Sequence, residues 1–117
     1  MSIERHETGP RMSQVVVHNG VAHLAGQVGS DPDADVKTQT EQTLEKIDRL
    51  LALAGTDKSK LLSANIWLPD IATGFGPMNE AWAAWVPEGS APARATVQSA
   101  LAADHWKVEI MVTAAVD

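Results

Sequence analysis

Two charged residues interrupt apolar strand patterns near the end of the chain. Arg94 lies within the segment 91–98, and Glu109 stands between Val108 and Ile110. A charged side chain on a packed sheet face needs a partner. The planar guanidinium of an arginine grips a small carboxylate with two parallel hydrogen bonds, and a glutamate can manage a water molecule. The pair therefore indicates either an internal ion pair across adjacent strands or a site for a small carboxylate beside a water.

The composition of the chain limits the classes of protein to consider. Its 117 residues, 44% of them apolar, suit a single domain over 1–117. The absence of cysteine excludes disulfides, thiolate zinc ligands and a cysteine nucleophile. A net charge of −6 with scattered basic residues disfavours nucleic acid as a partner. We expect a cytoplasmic protein, because no segment has the apolar length of a signal peptide or a membrane span.

The first half of the chain predicts a hairpin followed by a helix. Strands over 15–17 and 21–25 flank Asn19-Gly20, the dipeptide typical of a type I′ turn. After a loop over 26–32, apolar residues recur every three or four positions from Val36 to Ala54, which predicts a long amphipathic helix ending at Gly55. Its outer face is charged, and we expect Glu45 and Arg49 to pair across one turn.

The second half predicts a strand, a helix and two more strands. Residues 61–68 alternate, with Leu62, Ala64, Ile66 and Leu68 on one face. Asp70 can cap a second helix with a stripe of Phe75, Met78, Trp82 and Trp85. Pro77 is expected in the first turn of that helix, where the missing N–H costs nothing. The tryptophans suit a helix core better than a ligand-stacking box. The last strands are predicted near 91–99 and 106–115.

This order of elements predicts an α+β fold with both helices on one face of a mixed sheet. By the period of two, the aliphatic side chains of the last two strands lie under the helices. The other face would then be polar, and we expect it to line a subunit interface with pockets between protomers. Its predicted members are Ser63, Asn65, Arg94, Thr96, Gln98, Glu109 and Thr113.

Several motifs in one order resemble the reactive intermediate deaminase family, also called Rid or YjgF, and its YoaB-like branch in particular. They cover nearly the whole chain: Arg11, Gly26, Gln39-Thr40, Ala54-Gly55, Leu68-Pro69-Asp70, Met78-Asn79, Trp82, Trp85, Pro92-Ala93-Arg94 and Val108-Glu109-Ile110. The resemblance implies a chorismate-mutase-like α+β fold. It also implies a homotrimer whose sheets form a central barrel, with a cleft between each pair of subunits.

The resemblance further implies hydrolysis of enamine or imine intermediates, such as 2-aminoacrylate, to 2-keto acids and ammonia without a cofactor. By position, Arg94 holds the substrate carboxylate and Glu109 orients the attacking water. Gly26, Asn79 and the backbone around Thr96 fall at pocket positions. Met12, Ala25 and Thr96 stand where the best-characterised branch commonly has a tyrosine, a serine and a cysteine. Arg11 either reaches a neighbouring pocket or lies on its rim.

Other kinds of site are not indicated by the sequence. Four histidines, at positions 6, 18, 23 and 105, have no metal-ligand spacing, and His6 falls in a predicted tail. Phosphate-binding glycine loops and a nucleophile elbow are not found. Two functions stay open at this point: a cofactor-free imine deaminase, or a noncatalytic trimer that binds small carboxylates or protein partners.

Overall fold

A computed structural model describes residues 2–117 and shows two helices packed on a six-stranded mixed sheet. The elements are β1 (Glu4–Thr8), β2 (Ser13–His18), β3 (Val21–Leu24), α1 (Val36–Leu53), a 3₁₀ turn (Lys58–Lys60), β4 (Leu61–Leu68), α2 (Ile71–Trp85), β5 (Ala93–Gln98) and β6 (Glu109–Ala115). The strand order is β1-β2-β3-β6-β4-β5, with β4 and β5 parallel and the other described neighbours antiparallel. The predicted α+β class with a mixed sheet is confirmed.

The β2–β3 hairpin forms as predicted around Asn19-Gly20. His18 pairs with Val21, and the two turn residues have φ angles of 52° and 75°. Both angles are positive, which is the requirement of a type I′ turn and the reason that asparagine and glycine are favoured there.

An N-terminal strand precedes this hairpin, so the expectation of a tail around His6 is wrong. β1 pairs with β2 along its length, with His6 opposite Val15. Its sequence is almost entirely polar, and polar edge strands lack the apolar alternation on which prediction depends. The strand is also tied to α1, because Arg49 donates two hydrogen bonds to the Glu7 carboxylate at 2.6 and 3.2 Å. The expected pairing of Arg49 with Glu45 is therefore wrong.

Helix α1 buries the predicted apolar stripe and caps its own start. The Asp35 side chain accepts a hydrogen bond from the backbone N–H of Thr38 at 2.8 Å, as an N-cap should. Gly55, just after the helix, has a φ of 84°. Four large side chains of the helix are almost completely buried against the sheet: Leu44, Ile47, Leu50 and Leu51.

Helix α2 begins at Ile71, six residues before Pro77. Asp70 caps it as expected, accepting from the N–H of Thr73 at 3.3 Å. Pro77 therefore lies in the helix interior, and the prediction of a first-turn position is wrong. The carbonyl that loses its partner belongs to the exposed residue Thr73, where water can replace the bond. Met78 and Trp82 are buried as expected, but Phe75 is 43% exposed.

Strand β4 contains an irregularity that moves one predicted core residue to the surface. The pairing of β4 with β6 shifts register between Leu61 and Ser63. As a result Leu61 is buried and Leu62 is 47% exposed, the reverse of the strict alternation expected from the sequence. From Ala64 onward the predicted alternation holds.

Strand β6 alternates as predicted, with Ile110 and Val112 in the core. Met111 faces away from the helices and is 37% exposed. The sheet therefore carries one buried face under the helices and one open face. None of the described helices is long and apolar enough to cross a membrane.

Candidate functional site

Arg94 lies on the helix-covered face of the sheet, which corrects the predicted orientation of β5. In the parallel pairing Arg94 is opposite Ala64, and Thr96 is opposite Ile66, both of them core residues. Gln98, next on this face, accepts a hydrogen bond from the N–H of Ile71 at the start of α2. Ala95 and Val97 alternate with these residues and therefore occupy the open face. A charged residue is tolerated on the other face because β5 is an edge strand that the helices cover incompletely.

The guanidinium of Arg94 rests on an aromatic ring of α2. Its Cζ lies 5.4 Å from the centre of the Trp82 ring, within the range of a cation–π contact. Among residues 2–117 the Arg94 side chain has no recorded hydrogen bond or ion pair, and the residue is exposed. Asn79 stands one helical turn before Trp82 and is half-buried, so it lies on the same side of α2. Asn79 and Arg94 are thus both placed next to Trp82.

Thr96 adds an unpaired hydroxyl on the same strand face as Arg94. Its Oγ1 atom is buried and has no hydrogen-bond partner within the described part of the chain. Buried hydroxyls are normally paired, so this one is available to a water, a ligand or a neighbouring chain.

Glu109 and Gly26 are in contact on the other side of the sheet. A Cβ atom added to Gly26 would overlap Oε2 of Glu109 and would lie 3.1 Å from its Cδ. The half-buried carboxylate has no recorded hydrogen bond or ion pair with residues 2–117. Glu109 pairs with Trp67 in the ladder and lies on the open face. Its carboxylate occupies the space that a side chain at position 26 would need, so this placement of the carboxylate requires a glycine at position 26.

Two glutamines that the sequence analysis did not single out as site residues hold these segments in place. Gln27 exchanges backbone hydrogen bonds with Ile110 at 2.8 and 3.0 Å, and its side chain donates to Gln14. Gln39 is fully buried; it accepts from the N–H of Lys107 at 2.8 Å and donates to the carbonyl of His105 at 3.1 Å. The sequence signal that could have found Gln39 is a glutamine on the buried side of a predicted helix, because a buried amide must form hydrogen bonds.

Arg11 and Met12 lie in the turn between β1 and β2. The carbonyl of Met12 accepts from the N–H of Gly9 at 2.8 Å, which closes the turn. Both residues are exposed. Their predicted place at a pocket stays a prediction.

The two charged residues that carry the candidate chemistry are separated within one protomer. Strand β4 lies between β5 and β6, so their strand axes are about 10 Å apart. Arg94 also faces the helices, whereas Glu109 faces the open side. The predicted alternative of an internal ion pair across adjacent strands is therefore wrong. A pocket that contains both groups would require a second protomer.

Other features of the described residues lie apart from these groups. Within residues 2–117, no three histidine, aspartate or glutamate side chains are arranged to hold a metal ion. A cavity of about 350 Å³ lies between the starts of α1 and α2, and neither Arg94 nor Glu109 lines it. The candidate site is thus two open half-sites, one around Arg94 and one around Glu109.

Comparison with known proteins gives matches along nearly the whole chain. The family model described as Endoribonuclease L-PSP matches residues 3–116. The RutC family protein YoaB of Escherichia coli is 45% identical over 116 residues, covering 99% of this chain and 100% of that protein. Reactive Intermediate Deaminase A, chloroplastic, of Arabidopsis thaliana is 35% identical over 104 residues, covering 84% of this chain and 54% of that protein.

A solved structure agrees with the fold. NMB1025 of Neisseria meningitidis, described as a member of the YjgF protein family, superposes with a TM-score of 0.96. It is 41% identical, and the match covers 100% of this chain and 97% of that one.

Proposed function

Since the chain belongs to the Endoribonuclease L-PSP family, whose members include proteins described as YjgF and RutC, we propose that it is a cofactor-free hydrolase of small 2-imino acids. A relative that covers most of the chain is named Reactive Intermediate Deaminase A, which supports this activity. The family description also names an endoribonuclease. Binding an RNA backbone needs clustered cations, and this chain has a net charge of −6 with scattered arginines. The charge distribution therefore favours a small substrate over RNA.

The observation that carries the proposal is Arg94, a guanidinium with its donors available on the rim of an apolar core. A 2-imino acid has a carboxylate next to an electrophilic carbon. Two parallel hydrogen bonds from Arg94 would fix the carboxylate and so define where the carbon lies. The orphan hydroxyl of Thr96 and the amide of Asn79 lie on the same side, available to the imine nitrogen or the carboxylate.

The pocket we propose is completed between subunits of a homotrimer. Within residues 2–117 the outer edge of β5 has no strand partner, and the open sheet face exposes Val97 and Met111. Closing three such sheets into a barrel would cover both features. The Glu109 half-site of one protomer would then meet the Arg94 half-site of its neighbour.

In the proposed reaction, water adds to the imine carbon while Glu109 accepts a proton from it. The tetrahedral adduct then expels its nitrogen, so that R–C(=NH)–COO⁻ and water give R–CO–COO⁻ and ammonia. Glu109 returns its proton to the nitrogen, and the proton of the adduct's hydroxyl is transferred to the nitrogen as the C–N bond breaks, so that ammonia leaves and the carbonyl forms. General-base assistance of this kind contributes about 10²–10⁴-fold to a rate. No cofactor is required, because an imine is already electrophilic.

Replacement of Arg94 tests the proposal directly. Arg94→Ala should abolish the enzyme-dependent release of ammonia from imines generated in situ by an amino acid oxidase. Arg94→Lys, which keeps the charge and loses the fork, should retain a small fraction of it. Lys37→Ala, which removes an exposed cation from the outer surface of α1, is the matched control and should behave as wild type.

Two outcomes would count against the proposed activity. Equal hydrolysis by wild type and Arg94→Ala would remove the arginine from the mechanism. Arg94-dependent binding of a keto acid without any acceleration of imine hydrolysis would favour the noncatalytic carboxylate-binding trimer instead. That alternative is supported by the distance between Arg94 and Glu109 in the protomer.

A further inference from the structure

Trp82 lies against the guanidinium of Arg94. The Cζ atom of Arg94 is 5.4 Å from the centre of the Trp82 ring. Among residues 2–117 no hydrogen bond or ion pair to the guanidinium is recorded. A cation is attracted to the face of an aromatic ring, and tryptophan provides the strongest such attraction. The attraction to the ring needs no hydrogen-bond acceptor, so it does not pair the guanidinium with a carboxylate or carbonyl of the protein.

The Trp82 ring is itself held in one position. Only 7% of the residue is exposed, and it packs in the core formed by the sheet and the helices. Its ring lies 5.4 Å from that of Trp85 at a tilt of 51°. The indole Nε1 of Trp85 donates a hydrogen bond to Oδ2 of Asp48 on α1 at 3.0 Å. A series of contacts therefore runs from α1 through both indoles to Arg94.

An arginine side chain without such support samples many rotamers, and each bound carboxylate would have to select one of them. Ordering a long side chain on binding costs affinity. A ring that fixes the guanidinium beforehand removes part of that cost. It also excludes water from one face of the guanidinium, which strengthens the hydrogen bonds to a carboxylate.

We propose that Trp82 is a positioning residue that holds Arg94 ready for the substrate carboxylate. This inference rests on the proposed function of Arg94 as the carboxylate-binding residue. It concerns the aromatic face at position 82, not the volume of the side chain. A purely structural tryptophan would instead be replaceable by any apolar residue that fills the same space.

The test compares Trp82→Leu with Trp82→Phe by the binding of 2-oxobutanoate, measured calorimetrically on the assembled protein. Loss of the ring face should weaken binding about two- to thirty-fold, in the range of a cation–π contact. Trp82→Phe keeps a ring face and should lie between Trp82→Leu and wild type. The KM for imines should be lowest in wild type, higher in Trp82→Phe and highest in Trp82→Leu. Trp106→Leu, the same change at a tryptophan that lines the cavity between the starts of α1 and α2, should bind 2-oxobutanoate as wild type does.

A second measurement keeps the inference testable if Trp82→Leu does not fold. The Hε proton of Arg94, assigned in NMR spectra by its disappearance in Arg94→Lys, should be shifted upfield by the ring current of Trp82. A resonance at the position of an unstructured arginine would overturn the inference. So would wild-type affinity in a folded Trp82→Leu protein when Arg94→Ala no longer binds. Failure of the wild type to bind any 2-oxo acid would contradict the proposed function itself.

Discussion

At the scale of single residues, Gly26 and Glu109 depend on each other because the carboxylate occupies the space of a missing side chain. The backbone of Gly26 does not have a left-handed φ, so an alanine can adopt its conformation. The constraint on this position is space. An added methyl group would overlap the Glu109 carboxylate and would force that side chain to move.

Gly26→Ala should therefore fold normally and lose activity. We expect the rate of imine hydrolysis to fall by up to about 10²-fold, part of what general-base assistance contributes. Gly76→Ala is the matched control. A Cβ at that exposed position in α2 meets nothing within 4 Å beyond its neighbours in the chain, and the change should leave the rate unaffected. Steady-state kinetics and thermal melts measure both; full activity in Gly26→Ala would remove Glu109 from the proposed mechanism.

At the scale of elements, β1 shows how a polar strand is held at the edge of the sheet. Arg49 reaches from α1 and binds the carboxylate of Glu7 with both ends of its guanidinium. This hydrogen bonding by Arg49 holds the pKa of Glu7 below its ordinary value. Because the folded state favours the ionised carboxylate, the pair stabilises the fold above the ordinary pKa of a glutamate, and this contribution disappears as the pH falls through the lowered pKa.

Glu7→Gln should accordingly destabilise the protein at pH 7 and less at pH 3, because the contribution of the pair is lost as the pH falls through the lowered pKa of Glu7. A protonated carboxyl group resembles the amide. Glu41→Gln, on the exposed surface of α1, is a control that should show little difference at either pH. Thermal unfolding at the two pH values measures the effect. An equal loss of stability at both would mean that Glu7 acts through packing and not through its charge.

The elements also show where prediction from the sequence was wrong. The hairpin at Asn19-Gly20 and the apolar stripe of α1 depend on local rules, and both were predicted correctly. The irregularity at Leu62 depends on how β4 pairs with β6, and the interior position of Pro77 depends on water reaching the carbonyl of Thr73. Neither can be predicted from the local sequence pattern. For β5 the rule that places aliphatic residues under the helices was wrong, because an edge strand has two partly exposed faces.

At the scale of the whole molecule, the protomer leaves features unpaired that a trimer would cover. The open sheet face exposes Val97 at 48% and Met111 at 37%, and β5 ends the sheet with a free edge. The two half-sites also need a neighbouring chain to come together. The expected membership of the YjgF family is confirmed, and the trimer is our proposal.

In solution the protein should have about three times the protomer mass of 12.5 kDa. Val97→Lys, which places a charge on the open face, should give monomers, since an unpaired charge is costly to bury in an interface. Leu53→Lys changes a residue of similar exposure at the end of α1 and should leave the trimer intact. Light scattering coupled to gel filtration measures both. A monomeric wild type would contradict the intersubunit pocket.

The sequence by itself determined the fold class, the family and the two charged residues worth attention, since these depend on local periodicity and on motifs read in order. Tertiary structure decided which face each charged residue takes, because β4 lies between β5 and β6 and the helices cover the face of Arg94. It also revealed the contact of Arg94 with Trp82 and that of Glu109 with Gly26. Such contacts join residues far apart in the chain, and only the packing of helices against strands brings them together.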